Sequence, residues 1–184
     1  DFLFARYPDA EAHFRKALAA DPKSVPAHTG LALLRLDADP RTAMAEAGKA
    51  IRTAPESGLA HFARAVAADR TSDWVTAVDE AWAASLDPAT ATPGRALVAK
   101  LKLRFGKDRE AAEALAASGP WQSDPLARNR LAYACLRLGE RDRAVALARE
   151  NLVIDPLDTF ARSLLWQARA EPAGARSASA PVGM

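Results

Sequence analysis

The chain has 184 residues, 49% of them hydrophobic but only 7% aromatic, enough for one ordinary domain or one short repeat array with an alanine-rich core. With 25 basic against 23 acidic residues the net charge is +2, which lacks the strong positive field of a nucleic-acid binder. No apolar run reaches the ~18 residues needed to span a bilayer, no basic-then-apolar leader is visible, and the single cysteine, Cys135, excludes an internal disulfide and fits a reducing, cytoplasmic setting.

The chain opens on Asp1, and Asp1–Tyr7 reads as the end of a helix, so a piece of a longer protein is expected. Ala10, Phe14, Ala17 and Leu18 then lie on one helical face and form the second helix of a partial unit at 1–22. A full helix pair is expected at about 25–57, with Leu31, Ala32 and Leu34 on its first helix and Ala43, Ala47 and Ala50 on its second. Another pair follows at 58–88, as Ala60 to Asp69 and Trp74 to Leu86. A fourth unit, about 92–120, pairs Ala96 to Phe105 with Asp108 to Ala117, and Ser118-Gly119-Pro120 cuts its second helix short.

The clearest unit spans about 124–156. Leu126, Ala127, Leu131, Ala132, Cys135 and Leu138 share one face. Gly139 ends the helix, because glycine adopts the left-handed conformation of a helix stop without penalty. Ala144, Val145, Ala148 and Leu152 trace the next stripe. A closing helix is expected from Thr159 to Ala170, within 158–170. The segment 171–184 is rich in Pro, Gly, Ser and Ala without apolar period, and reads as a flexible tail.

Prolines punctuate this plan. Pro22, Pro55 and Pro88 recur at intervals of 33 residues, and Pro156 follows Pro88 by 68, or two steps of 34, a period of roughly 34 residues. Three of them sit in Asp-Pro pairs, where proline cannot continue a helix and biases its predecessor out of helical geometry. A helix pair of this length cannot bury its apolar face alone, but stacked copies can.

Few residues suggest chemistry. No glycine-rich phosphate loop and no nucleophile elbow is present, so an enzyme is not expected. His13, His28 and His61 lack the close-spaced partner of a helical metal site and read as surface or packing residues, so no metal or other cofactor is expected. Cys135, on an apolar stripe, reads as a small core residue. Asp37, Asp39 and Asp69 lie near helix ends, where capping or solvation accounts for them. Trp74, Trp82 and Trp166 fall at packing intervals and are expected in the core, and Trp121 is expected to tuck under the shortened fourth unit.

The pattern resembles the tetratricopeptide-repeat (TPR) family over about Tyr7 to Ala170. Leu131-Ala132, Gly139, Ala144 and Pro156 match its large–small pair, turn glycine, small crossing residue and closing proline, as do Val98-Ala99, Gly106 and Ala111, and Leu31-Ala32 and Ala43. The third unit departs from it: Arg64 stands where a large apolar residue is expected, and Thr71-Ser72-Asp73 replaces the glycine. The Asp37–Arg41 turn is one residue short. The resemblance implies an all-α, right-handed solenoid of stacked helix–turn–helix units, whose first helices line a concave groove that holds a peptide or partner segment.

On that reading the outward positions are Thr29, Leu33, Phe62, Val66, Lys100, Arg104, Asn129, Tyr133, Arg137, Ser163 and Gln167. The early ones are apolar and the later ones polar and basic, with Arg130 nearby. The expected partner is therefore a protein or peptide with an apolar anchor and an acidic group. Leu33, Phe62, Val66, Lys100, Arg104, Asn129, Tyr133 and Arg137 are the expected contacts. Only fragments of the family's chaperone-tail clamp appear, so that ligand is not expected. Two further readings stand beside this one. Runs such as Ser85-Leu86-Asp87-Pro88-Ala89 are loosely similar to repeats trailing carbohydrate-processing domains, which would make the chain a non-catalytic accessory segment of a larger bacterial enzyme. Self-association through an exposed N-terminal repeat edge near Phe2, Phe4 and Phe14 is the other.

Overall fold

The structure, a computed structural model, describes residues 7–117 and 124–170. Among the described residues there are ten α-helices and no strand: α1 (Tyr7–Ala20), α2 (Val25–Arg35), α3 (Pro40–Thr53), α4 (Gly58–Arg70), α5 (Trp74–Ala84), α6 (Ala91–Arg104), α7 (Asp108–Ala116), α8 (Pro125–Arg137), α9 (Arg141–Ile154) and α10 (Thr159–Ala170). None is long and apolar enough to cross a membrane. Trp121, Phe2, Phe4 and the segment 171–184 lie outside the described residues.

The helix ends follow local chemistry. Asp39, Ser57, Asp73 and Asp124 each accept a hydrogen bond from a backbone amide in the first turn of the helix they precede, satisfying donors that a helix leaves open. Gly106 (φ +71°) and Gly139 (φ +83°) turn the chain left-handed after α6 and α8. In the third unit, where glycine is missing, Ser72 takes φ 62° itself. The short turn before α3 is instead managed by Asp39, whose carboxylate accepts from both the amide and the hydroxyl of Thr42, and by Pro40, which opens the helix.

Small residues set the packing. Ala43, Ala77, Ala111 and Ala144, one repeat step apart at the start of successive second helices, are all at most 1% exposed. The equivalent small residues of the first helices, Ala32, Ala65, Ala99 and Ala132, are also fully buried. Alanine leaves so little side chain that backbones nearly touch: a β-carbon at Gly94 would stand 2.8 Å from the Ser85 nitrogen. Val98-Ala99 stands to Gly106 and Ala111 as Leu131-Ala132 stands to Gly139 and Ala144, and Ala99 is fully buried with Ala111 in the same core cluster.

Each of three first helices is also tied to its unit by a polar staple at its fourth residue. His28 lies with Nδ1 2.6 Å from Glu46 and Nε2 3.0 Å from the Pro22 carbonyl. His61, one repeat step on, does the same with Glu80 at 2.5 Å and the Pro55 carbonyl at 2.8 Å. Arg128 occupies the place in α8 and donates to Asn151, fully buried on α9, whose own amide donates to the Pro125 carbonyl. Arg64, which breaks the apolar pattern, pairs with Glu80 at 2.8 Å. These polar departures in sequence are therefore met by bridges between the two helices of a unit.

First helices also contact one another across units, α2 with α4, α4 with α6, α6 with α8 and α8 with α10. The closer layer of a stacked array is its inner one, so these five helices form the inner face. The core expectation fails for three tryptophans: Trp74, Trp82 and Trp166 are 39%, 55% and 71% exposed. Helical spacing puts a side chain on a stripe, but in a two-layer stack only the stripes facing a neighbouring helix are buried.

Candidate functional site

The inner face changes character along its length. Leu33 is exposed at the α2 end, while Phe62 and Val66 of α4 are half-buried and pack on a core cluster around Ala65, Ala68, Leu97 and Leu101. These apolar positions are therefore partly consumed by the fold. Thr29 beside them is 4% exposed, and its hydroxyl has no hydrogen-bond partner among the described residues.

The basic residues of α6 are not free. Lys100 and Arg104 converge on one carboxylate, Asp69 of α4, at 2.6 and 3.0 Å. The Asp69 carboxylate is only 8% exposed, so it is not the solvated end-of-helix group expected from its position. Two cations on one buried anion form an inter-repeat clamp, and breaking it would strand a charge. Arg104 also lies over the Trp74 ring, 5.7 Å from its centre, and Trp74 meets Phe105 edge-on at 5.5 Å.

The α8 stripe is more open in character. Asn129, Tyr133 and Arg137 follow one another at i, i+4 and i+8 and therefore share a face. Asn129 is 6% exposed; its amide nitrogen donates to Asp158 at 2.7 Å, but its oxygen has no hydrogen-bond partner among the described residues. Tyr133 packs against Phe160 of α10, ring centres 6.2 Å apart, and Phe160 remains 47% exposed. Arg137 lies over the Tyr133 ring at 5.7 Å and pairs with Asp108 at 3.0 Å. Arg130, half-buried, donates to the Ala96 carbonyl. Burial lowers its pKa, which the charge of Asp124 partly offsets, and it has no carboxylate within ion-pair distance among the described residues.

Of the eight expected contacts, the structure thus brings together Asn129, Tyr133 and Arg137, turns Lys100 and Arg104 into a clamp, and leaves Leu33, Phe62 and Val66 at the other end. Phe160 was not among them. It is the second residue of α10, as Leu126 is of α8 one repeat step earlier, and that equivalence is the signal that finds it. Cys135 is fully buried, and burial pushes its thiol up to about 11, so it packs as a small hydrophobe rather than as a nucleophile.

No protein-family model and no curated protein matches the sequence. Among solved structures, the crystal structure of MamA is similar with a TM-score of 0.70 at 20% identity, covering 84% of this chain and 91% of MamA. YrrB, described as a TPR protein with an unusual peptide-binding site, gives 0.67 at 15% identity, covering 84% and 90%. TTC0263, a thermophilic TPR protein of Thermus thermophilus, gives 0.66 at 19% identity, covering 91% and 93%. At these identities the likeness is one of fold.

Proposed function

We propose that this chain, which has the fold of tetratricopeptide-repeat proteins, is a non-catalytic interaction scaffold that holds an extended peptide or partner segment along its inner face, centred on α8 and α10. The observation that carries this reading is the half-exposed ring of Phe160 packed against Tyr133, on the inner-face stripe that also carries Asn129 and Arg137. The Tyr133–Phe160 pair offers the apolar contact typical of a binding hot spot.

The charge preference follows from which cations remain available. Lys100 and Arg104 are committed to Asp69 and contribute little. Arg137 is paired with Asp108 but its side chain stays 39% exposed, Arg130 near it has no carboxylate within ion-pair distance among the described residues, and guanidinium groups hold carboxylates by paired charge-assisted hydrogen bonds. The ligand on this reading carries an aromatic or large apolar residue with an acidic residue nearby. The peptide-binding site named for YrrB supports the class of partner.

A displayed-peptide selection against the intact chain tests it. Enriched peptides carry the apolar–acidic pairing. Their affinity falls by about tenfold or more in a Tyr133→Ala/Arg137→Ala variant and changes little in Leu33→Ala. Enrichment without that pairing, or equal affinity for the Tyr133/Arg137 variant, would overturn the proposal.

A further inference from the structure

Away from the inner face, the turn between α1 and α2 and the C-terminal end of α3 border an open cleft of about 750 Å³, lined by Leu18, Pro22, Lys23, His28, Lys49 and Arg52 among others. Its wall is the His28 staple: the ring is 5% exposed and held at both nitrogens, and Glu46 beneath it also accepts from Lys49 at 2.7 Å. Leu18 and Pro22 supply an apolar side. Lys23 and Arg52 are exposed at the rim, and neither has a carboxylate within ion-pair distance among the described residues. Three cations thus face the cleft against one carboxylate, which is already shared between His28 and Lys49.

The next unit shows that the fold does not require these cations. There the same staple recurs, with His61, Glu80 and the Pro55 carbonyl in place of His28, Glu46 and the Pro22 carbonyl. The step that relates the two histidines carries Lys23 to Glu56. The step that relates the two glutamates carries Lys49 to Ala83, Arg52 to Leu86 and Thr53 to Asp87. The staple is kept while the positive charge is replaced by neutral and acidic residues. Nor does the helix end demand basic residues, since α5 and α9 have none in their last turns. Gathering like charges costs free energy through mutual repulsion, and an anionic guest removes that cost.

We propose that this cleft binds a small molecule bearing a phosphate monoester, with Lys23, Lys49 and Arg52 on the phosphate and its organic part against Leu18 and Pro22. A phosphate monoester carries roughly −1.5 to −2 charge near neutral pH and three strong acceptor oxygens, which matches three cations set against one carboxylate. Fork-shaped guanidinium and ammonium groups both suit it.

Calorimetric titration of the intact chain at low salt, with phenyl phosphate, inorganic phosphate and chloride as probes, tests this assignment. Phenyl phosphate is expected to bind saturably and more tightly than inorganic phosphate, with chloride silent. A Lys23→Glu/Arg52→Glu variant should weaken binding by about tenfold or more. Lys107→Glu, a charge change far along the chain, should leave it intact. The milder Lys23→Ala/Arg52→Ala variant serves if the first loses helicity. In NMR spectra the His28 ring signals are expected to move on titration while those of His61 stay still. No saturation with phenyl phosphate, equal binding by the alanine variant, or equal shifts at both histidines would overturn the proposal.

Discussion

Ser72 shows most directly how one residue carries a structural demand its type does not suit. It occupies the turn place taken by Gly106 in the next unit and holds φ 62°, where a side chain meets the backbone and costs roughly 1–2 kcal/mol. The gain on Ser72→Gly is offset by the greater freedom of glycine in the unfolded chain, about 0.4–1 kcal/mol. Ser72→Gly is therefore expected to stabilise the chain by about 0.5–1 kcal/mol, read as a higher urea midpoint with unchanged slope. A lower midpoint would show that the serine side chain is needed in that turn. Asn151 is the opposite case: a polar residue, fully buried, that suits its site because both ends of its amide are satisfied, by Arg128 and by the Pro125 carbonyl.

At the scale of the element, α10 is held to the array partly by Asp158, which precedes it. Burial opposes the charged form of this carboxyl, but the Ala161 amide, the Asn129 side chain and the Phe160 amide outweigh it, so its pKa lies below the usual 3.8. A carboxyl whose pKa is lowered by folding contributes stability above its unfolded value, and that contribution is lost as pH falls through the folded value. The wild type should thus be more stable than Asp158→Ala at pH values well above 3.8, and the gap should narrow as pH drops below it. Urea titrations across that range read the difference. A gap that is constant with pH would mean that Asp158 acts through packing and not through its charge. The same substitution removes the partner of Asn129, so it links the stability of α10 to the proposed peptide face.

The whole molecule is a one-dimensional stack in which each unit touches its neighbours. A local defect should therefore stay local. Gly94→Ala tests this, because the new β-carbon meets backbone atoms of Ser85 and Ala81 that no side-chain rotation can move. Overpacking of this kind costs about 1–3 kcal/mol, more than the roughly 0.8–1 kcal/mol by which alanine is the better helix former. Hydrogen exchange should quicken in α5 and α6 and leave α9 and α10 nearly unchanged. Uniform quickening along the chain would show a single cooperative unit in place of a stack.

The architecture is legible in the chain before any fold is known. Helix propensity, the Asp-Pro punctuation and the regular repeat step are each encoded within a short stretch of sequence. They yield the helix pairs, the turn glycines Gly106 and Gly139, the buried alanines and the packed Cys135. Which side chains remain available is settled only by how the helices come together. Lys100 and Arg104 look like free cations until α4 brings Asp69 of an earlier unit against them. Trp74, Trp82 and Trp166 look like core until the two-layer stack leaves their stripes uncovered. Phe160 gains meaning only beside Tyr133, and the basic cleft only where α1, α2 and α3 meet. The reason is physical: periodicity fixes the face of a helix on which a residue lies, whereas partnership depends on how neighbouring helices are rotated and spaced, and that is set by packing between units.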